Sequence, residues 1–261
     1  MGRWDPSQYL RFAAERARPA IDLLARIPID APGTVYDLGC GPGNVTRLLH
    51  ERWPDARVVG VDSSEEMLGR ARATLPELEW VAADLATWRP DAAPALIYSN
   101  AALHWLDGHE TLFPRLMGFL AAGGVLAVQM PRNFDSPSHT LIAETVRGGP
   151  WRERLEPLLR GSPVADPQTY FGLIAPLAAA VDIWETEYLH VLEGEDAVKE
   201  FTKGSALKPL LDALSEPERA AFEERYAALV REAYPRRPDG RTLFPFKRLF
   251  IVATKRSGMG Q

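Results

Sequence analysis

The segment VYDLGCGPGN, residues 35–44, constrains this chain more than any other. An apolar run reaches Asp37 and passes through Gly39, Gly41 and Gly43 before a helical pattern at Val45, Leu48 and Leu49. A strand that turns into a helix through three glycines brings bare backbone to the carboxyl end of a first sheet strand, where open α/β sheets bind their ligands. The spacing G-x-G-x-G departs from the dinucleotide fingerprint G-x-G-x-x-G. Pro42 also removes a backbone donor that a phosphate cradle uses. Asp37 inside the turn would repel a pyrophosphate and would suit a ligand carrying an ammonium or sulfonium charge.

Short apolar runs then alternate with helical patterns. Strands are expected at Thr34–Leu38, Arg57–Val61, Leu78–Ala82, Ala95–Ser99 and Gly124–Gln129, with a helix at Leu112–Leu120 before the last of them. Buried-type strands alternating with helices define a mostly parallel sheet covered on both faces. Two late strands, Val181–Leu189 and Arg248–Thr254, are separated by a helical insertion. In it Ser215 and Glu218 form a capping box, and Phe222, Tyr226, Leu229, Val230 and Ala233 form an apolar stripe. The first segment opens with a helix start at Asp5-Pro6-Ser7-Gln8, which Pro19 breaks or kinks. The expected organisation is one domain over residues 1–261, with N-terminal helices at 5–27 and cap segments at about 132–178 and 192–246.

Acids end three successive strands: Asp37, Asp62 and Asp84. A carboxylate at the end of the second strand can accept both hydroxyls of a ribose. Asp84 with Leu85 offers an acceptor for an adenine amino group beside an apolar neighbour. Any one strand-end acid serves equally well to cap the next helix, as Ser63 and its neighbours do for the helix carrying Met67. Together with the glycine turn, the three become specific.

The net charge is -5, from 30 Lys and Arg against 35 Asp and Glu. It argues against a chain held to nucleic acid by bulk positive charge. The single cysteine, Cys40, excludes a disulfide framework and a multi-cysteine zinc site, and no metal is expected. No apolar run approaches a membrane span, and the N-terminus lacks a signal pattern, so a cytoplasmic location is expected. Positive charge gathers near the two chain ends: residues 236–256 hold seven Lys or Arg and one acid. Such a zone suits the steering of a small polyanion.

On these motifs the sequence resembles the class I S-adenosylmethionine-dependent methyltransferases, closely over 34–131 and loosely over the late strands. The resemblance implies a Rossmann-like, doubly wound α/β sheet of seven strands in the order 3-2-1-4-5-7-6, the last strand antiparallel, with a helical cap. It implies S-adenosyl-L-methionine as cofactor and S-adenosyl-L-homocysteine as product. The implied cofactor contacts are Asp37, Gly39, Gly41, Asn44, Asp62, Ser63, Met67, Asp84, Leu85 and Asn100.

The stretches YLRFAAERARPAIDLLARIP, NAALHW, FPRL, GGVLAVQMP, VDIWETEY and RLFIVATKR are similar to the trans-aconitate 2-methyltransferase family. The resemblance implies monomethylation of a small polycarboxylate. The expected protein is a monomer or weak homo-oligomer without nucleic acid or membrane partners. A carboxylate is ionised at pH 7 and needs no general base. The site must instead hold the substrate with cationic and hydroxyl donors. His104, Trp105 and Arg16 are the candidate catalytic residues. Tyr9, Arg16, His104, Asn133, Tyr170 and Arg248 are the candidate substrate contacts. Two alternatives stay open: a carboxyl methyltransferase of the same fold acting on a malonyl-thioester, and a protein that holds the cofactor without transfer.

Overall fold

The computed structural model describes residues 13–257, with side chains from residue 17 onward. Tyr9 and the capping segment at Asp5 lie outside the described residues, as does the side chain of Arg16. Seven strands form one sheet in the order β3-β2-β1-β4-β5-β7-β6. They are β1 (Thr34–Leu38), β2 (Arg57–Asp62), β3 (Glu79–Ala82), β4 (Leu96–Asn100), β5 (Val125–Pro131), β6 (Ala178–Glu193) and β7 (Arg241–Lys255). Strands β1 to β5 pair in parallel, and β7 runs antiparallel to β5. The central strands are near-continuous apolar runs, and almost every residue in them is buried because both sheet faces are covered. Edge strand β3 is mostly exposed. The order reverses between β1 and β4, which opens a crevice at their carboxyl ends.

The helices are α1 (Ala13–Ala25), α2 (Asn44–Arg52), α3 (Glu65–Thr74), α4 (His109–Phe119), α5 (Pro137–Arg147), α6 (Arg152–Leu155), α7 (Pro167–Ile174), α8 (Ala197–Lys203), α9 (Lys208–Asp212) and α10 (Glu216–Ala233). Helix α1 runs through Pro19, where the sequence predicts a break or a kink, and is not broken there. An interior proline costs about 3 kcal/mol. Full burial of Leu23, with Ala20 beside it, offsets a cost of that size. Helix α3 starts one residue later than its Ser63 pattern implies: Ser64 is the cap and accepts the Met67 amide at 3.3 Å. The Ser215–Glu218 capping box forms as expected. No helix among the described residues is long and apolar enough to cross a membrane.

The chain divides into two compact units. Among the described residues, the sheet unit comprises 17–131, 163–186 and 248–257, and the helical unit comprises 13–16, 132–162 and 187–247. The helical unit has its own core, in which Phe222, Tyr226 and Val230 of α10 pack with Ile142, Val146, Trp151, Phe201 and Phe244. Residues 163–178, expected in the cap, fall in the sheet unit. There Tyr170 of α7 packs on Phe113 and His109 of α4. Both late strands are longer than their apolar cores. In β7 only alternate residues are buried at first (Thr242, Phe244, Phe246), and burial becomes continuous from Arg248. That one-sided period of two reads as part of the insertion when only apolar runs are counted.

Candidate active site

The glycine turn folds back on β2: the amides of Gly39 and Cys40 both donate to the Val61 carbonyl, at 2.8 and 3.1 Å. Two of its glycines are required for different reasons. Gly39 has φ +75, and a Cβ there would lie 2.1 Å from the Ala102 Cβ, so the turn presses against the segment after β4. Gly41 has φ +55, but no described residue comes within 4 Å of where its Cβ would stand. Cys40 is buried, and burial raises its thiol pKa. It is a packed residue rather than a nucleophile.

Asp37 is 2% exposed, and its Oδ2 accepts the Thr46 hydroxyl at 2.7 Å. Burial, above all, pushes its pKa up to about 7; the Thr46 hydrogen bond opposes that rise and nearby Asp62 adds to it. A cation is the natural complement to such a group. Asp62 is held at both oxygens by backbone. Oδ2 accepts the Gly41 amide and Oδ1 the Ser64 amide, each at 2.8 Å. A carboxylate has about four lone-pair directions, so each oxygen retains one for a ligand hydroxyl. Asp84 is exposed and accepts the Ala86 amide at 2.9 Å. Bonding to backbone amides therefore does not use up the acceptor capacity of these acids. Asn44 opens α2, Ser63 lies exposed between Asp62 and the Ser64 cap, and Met67 and Leu85 are half-buried.

The segment after β4 forms the other wall of the crevice. Ala101 takes φ +53, a left-handed conformation that costs a non-glycine residue of order 1–3 kcal/mol. Its amide donates to the Gln129 carbonyl at 2.9 Å, which holds the turn on β5. The Asn100 Oδ1 beside it is a buried acceptor with no hydrogen-bond partner among the described residues. His104 is buried, with its ring centre 4.7 Å from that of the exposed Trp105.

The remaining candidates separate. Arg248 is 5% exposed, and its Nη1 donates to the Gln129 Oε1 at 3.4 Å. Tyr170 is fully buried, and its hydroxyl is 2.6 Å from His109 Nδ1 and also accepts the Ala165 amide. That placement ties α7 to α4 within the sheet unit, where the sequence places Tyr170 in a cap segment as a candidate substrate contact. Asn133, in the helical unit, is 2% exposed with its amide 3.4 Å from His139. Much of the carboxy-terminal positive charge has structural contacts. Arg237 and Arg241 face Asp239, Lys255 caps the Gly118 and Leu120 carbonyls, and Arg256 bonds the Ala178 carbonyl. Sequence reasoning missed Thr46 and Gln129. The signal for Gln129 was a lone amide in the apolar run VLAVQMP.

Buried Asp37, the partnerless Asn100 oxygen and the spare lone pairs of Asp62 fit the ammonium, sulfonium and ribose hydroxyls of S-adenosylmethionine. The sheet order, the glycine turn and the strand-end acids define a class I S-adenosylmethionine-dependent methyltransferase. A family described as a methyltransferase domain matches residues 35–124. The chain is 52% identical to a trans-aconitate 2-methyltransferase of Azoarcus sp. over 255 residues, which covers 98% of this chain and 100% of the relative. It is 48% identical to one of Methylobacterium radiotolerans, over 98% of this chain and 100% of that protein. The chain belongs to the trans-aconitate 2-methyltransferase family. Among solved structures, the YcgJ protein of Bacillus subtilis shares the fold with a TM-score of 0.57 at 17% identity, over 92% of this chain and 100% of that one. A Haemonchus contortus phosphoethanolamine N-methyltransferase 2 with bound S-adenosylhomocysteine also shares it, with a TM-score of 0.55 at 15% identity, over 92% of this chain and 52% of that one.

Proposed function

We propose that this chain transfers a methyl group from S-adenosylmethionine to one carboxylate of trans-aconitate, giving the monomethyl ester and S-adenosylhomocysteine. The observation that carries this reading is end-to-end similarity to the family, with the acids of the cofactor site intact. Asp62 would hold the ribose hydroxyls, and Asp84, Leu85 and Met67 the adenine. Asp37 and Asn100 would hold the charged methionyl end, beside Gly39 and Gly41. When bound, S-adenosylmethionine supplies an electrophilic methyl group on a sulfonium centre.

The chain's residues then have a positioning task. The attacking carboxylate is already ionised, so no side chain must remove a proton. His104 and Trp105 would orient the acceptor and exclude water, and Arg248 would neutralise a carboxylate that does not react. Arg16, Tyr9 and Asn133 remain proposed substrate contacts. The net charge of -5 supports a partner set without nucleic acid. We place the activity in the cytoplasm, in a monomer or weak homo-oligomer. Incubation with S-adenosylmethionine and trans-aconitate, with mass spectrometry of the product, tests the reading. A singly methylated triacid is expected, and no ester above background would refute it.

A further inference from the structure

The carboxyl end of the sheet carries a second polar group beside the cofactor cradle. Gln129 sits near the end of β5 and is completely buried. Its register partner on β4 is Asn100, and its partner on β7 is Phe250, two residues after Arg248. Side chains alternate along a strand and cross-strand partners share a face. Asn100, Gln129 and Arg248 therefore lie on one face of the sheet, across three adjacent strands.

The orientation of the Gln129 amide follows from its neighbour. A guanidinium has only donors, so the amide oxygen turns to Arg248, as the 3.4 Å contact records. The amide NH2 then faces the other way, and it has no hydrogen-bond partner among the described residues. A buried donor left unsatisfied works against stability. A leucine at 129 would remove that burden, and the rest of the run VLAVQMP is apolar. The missing complement is an acceptor, and a carboxylate oxygen is the acceptor that a donor amide and a guanidinium can share.

We propose that Gln129 is a substrate-specificity residue: with Arg248 it forms a two-donor anchor for a carboxylate of the substrate that is not methylated. The proposal rests on the functional reading above. Gln129 has two parts to play, donating through Nε2 to the anchored carboxylate and fixing the guanidinium through Oε1. An anchor for a group that does not react stabilises the ground state and the transition state alike, so it acts on KM more than on kcat.

Two variants separate this from a structural role. Gln129→Leu removes the donor, and Gln129→Glu keeps a partner for Arg248 while replacing the donor NH2 with an acceptor that cancels its charge. Trans-aconitate is titrated by calorimetry into protein saturated with S-adenosylhomocysteine, and steady-state kinetics are measured in parallel. Both variants are expected to bind S-adenosylhomocysteine like the wild type and to melt as cooperatively. In both, triacid affinity should fall and KM should rise by about 10–100-fold, the scale of one hydrogen bond to a charged group. Kcat should change much less. Of the unsaturated diacids that each lack one carboxylate, one should bind wild type and variants alike, because the anchored group is gone. Unchanged triacid affinity in both variants overturns the proposal. So does a parallel loss of S-adenosylhomocysteine binding and melting temperature, which would make Gln129 structural. A wild type that binds S-adenosylhomocysteine but no triacid refutes the functional reading itself.

Discussion

The Thr46 hydroxyl donates a 2.7 Å hydrogen bond to Asp37 inside a carboxylate site almost closed to water. The bond favours the ionised acid, but burial outweighs it and the pKa stands at about 7. A bound sulfonium or ammonium would favour the ionised form further. Affinity for S-adenosylmethionine should therefore rise with pH, approaching tenfold per unit below about 7, and level off above it. Titrations in buffers of different ionisation enthalpy should detect proton release on binding at pH 6 and little at pH 8.5. Asp37→Asn should weaken binding and flatten the profile. For the free protein the linkage runs the other way. The folded pKa lies above the ordinary 3.8, so this group's contribution to stability is complete below about pH 4 and is lost as pH rises toward 7.

Asp62 is held by the Gly41 and Ser64 amides before any ligand arrives. Asp62→Ala should weaken S-adenosylmethionine binding by about 1.5–3 kcal/mol, the scale of a hydrogen bond to a charged group. Asp62→Asn should fall between the two, since it retains one acceptor oxygen. Calorimetry measures all three, and an Asp62→Ala protein with wild-type affinity would remove Asp62 from the ribose site.

Gly39 and Gly41 offer a matched comparison. Both have positive φ, so alanine at either carries a backbone cost of about 1 kcal/mol. Only at Gly39 would the new methyl group collide, 2.1 Å from the Ala102 Cβ. Gly39→Ala should therefore destabilise the protein by several kcal/mol through displacement of the 101–102 turn. Gly41→Ala should cost about 1 kcal/mol and act chiefly on cofactor affinity. Denaturant melts and cofactor titrations of both proteins check the contrast, and equal melting losses would count against it.

The parts of this fold legible in the sequence were those fixed locally. Strands β1, β2, β4 and β5 are near-continuous apolar runs because helices cover both faces, and Gly39 and Asp62 sit where a strand must end. Long-range pairing hid the rest. Tyr170 reads as a polar group in a cap segment, yet α7 turns it inward onto His109. The first half of β7 alternates buried and half-buried residues, so the strand begins at Arg241 rather than Arg248. Thr46 gains its role only because α2 returns its side chain to Asp37. Gln129 gains its own only when β7 brings Arg248 alongside.

His104 follows β4 with its ring against Trp105, where a general base would be sought. The chemistry gives it no proton to take, because a carboxylate with a pKa near 4 is ionised throughout the neutral range. General-base catalysis contributes about 10²–10⁴-fold, so loss of a true base would be severe. His104→Gln keeps a hydrogen-bonding group of similar reach and should lower kcat by less than about tenfold. The kcat profile from pH 6 to 8.5 should also lack a limb that disappears in the variant. A loss of 10²-fold or more, together with the disappearance of such a limb, would establish His104 as a base and require a substrate group that is protonated when it binds.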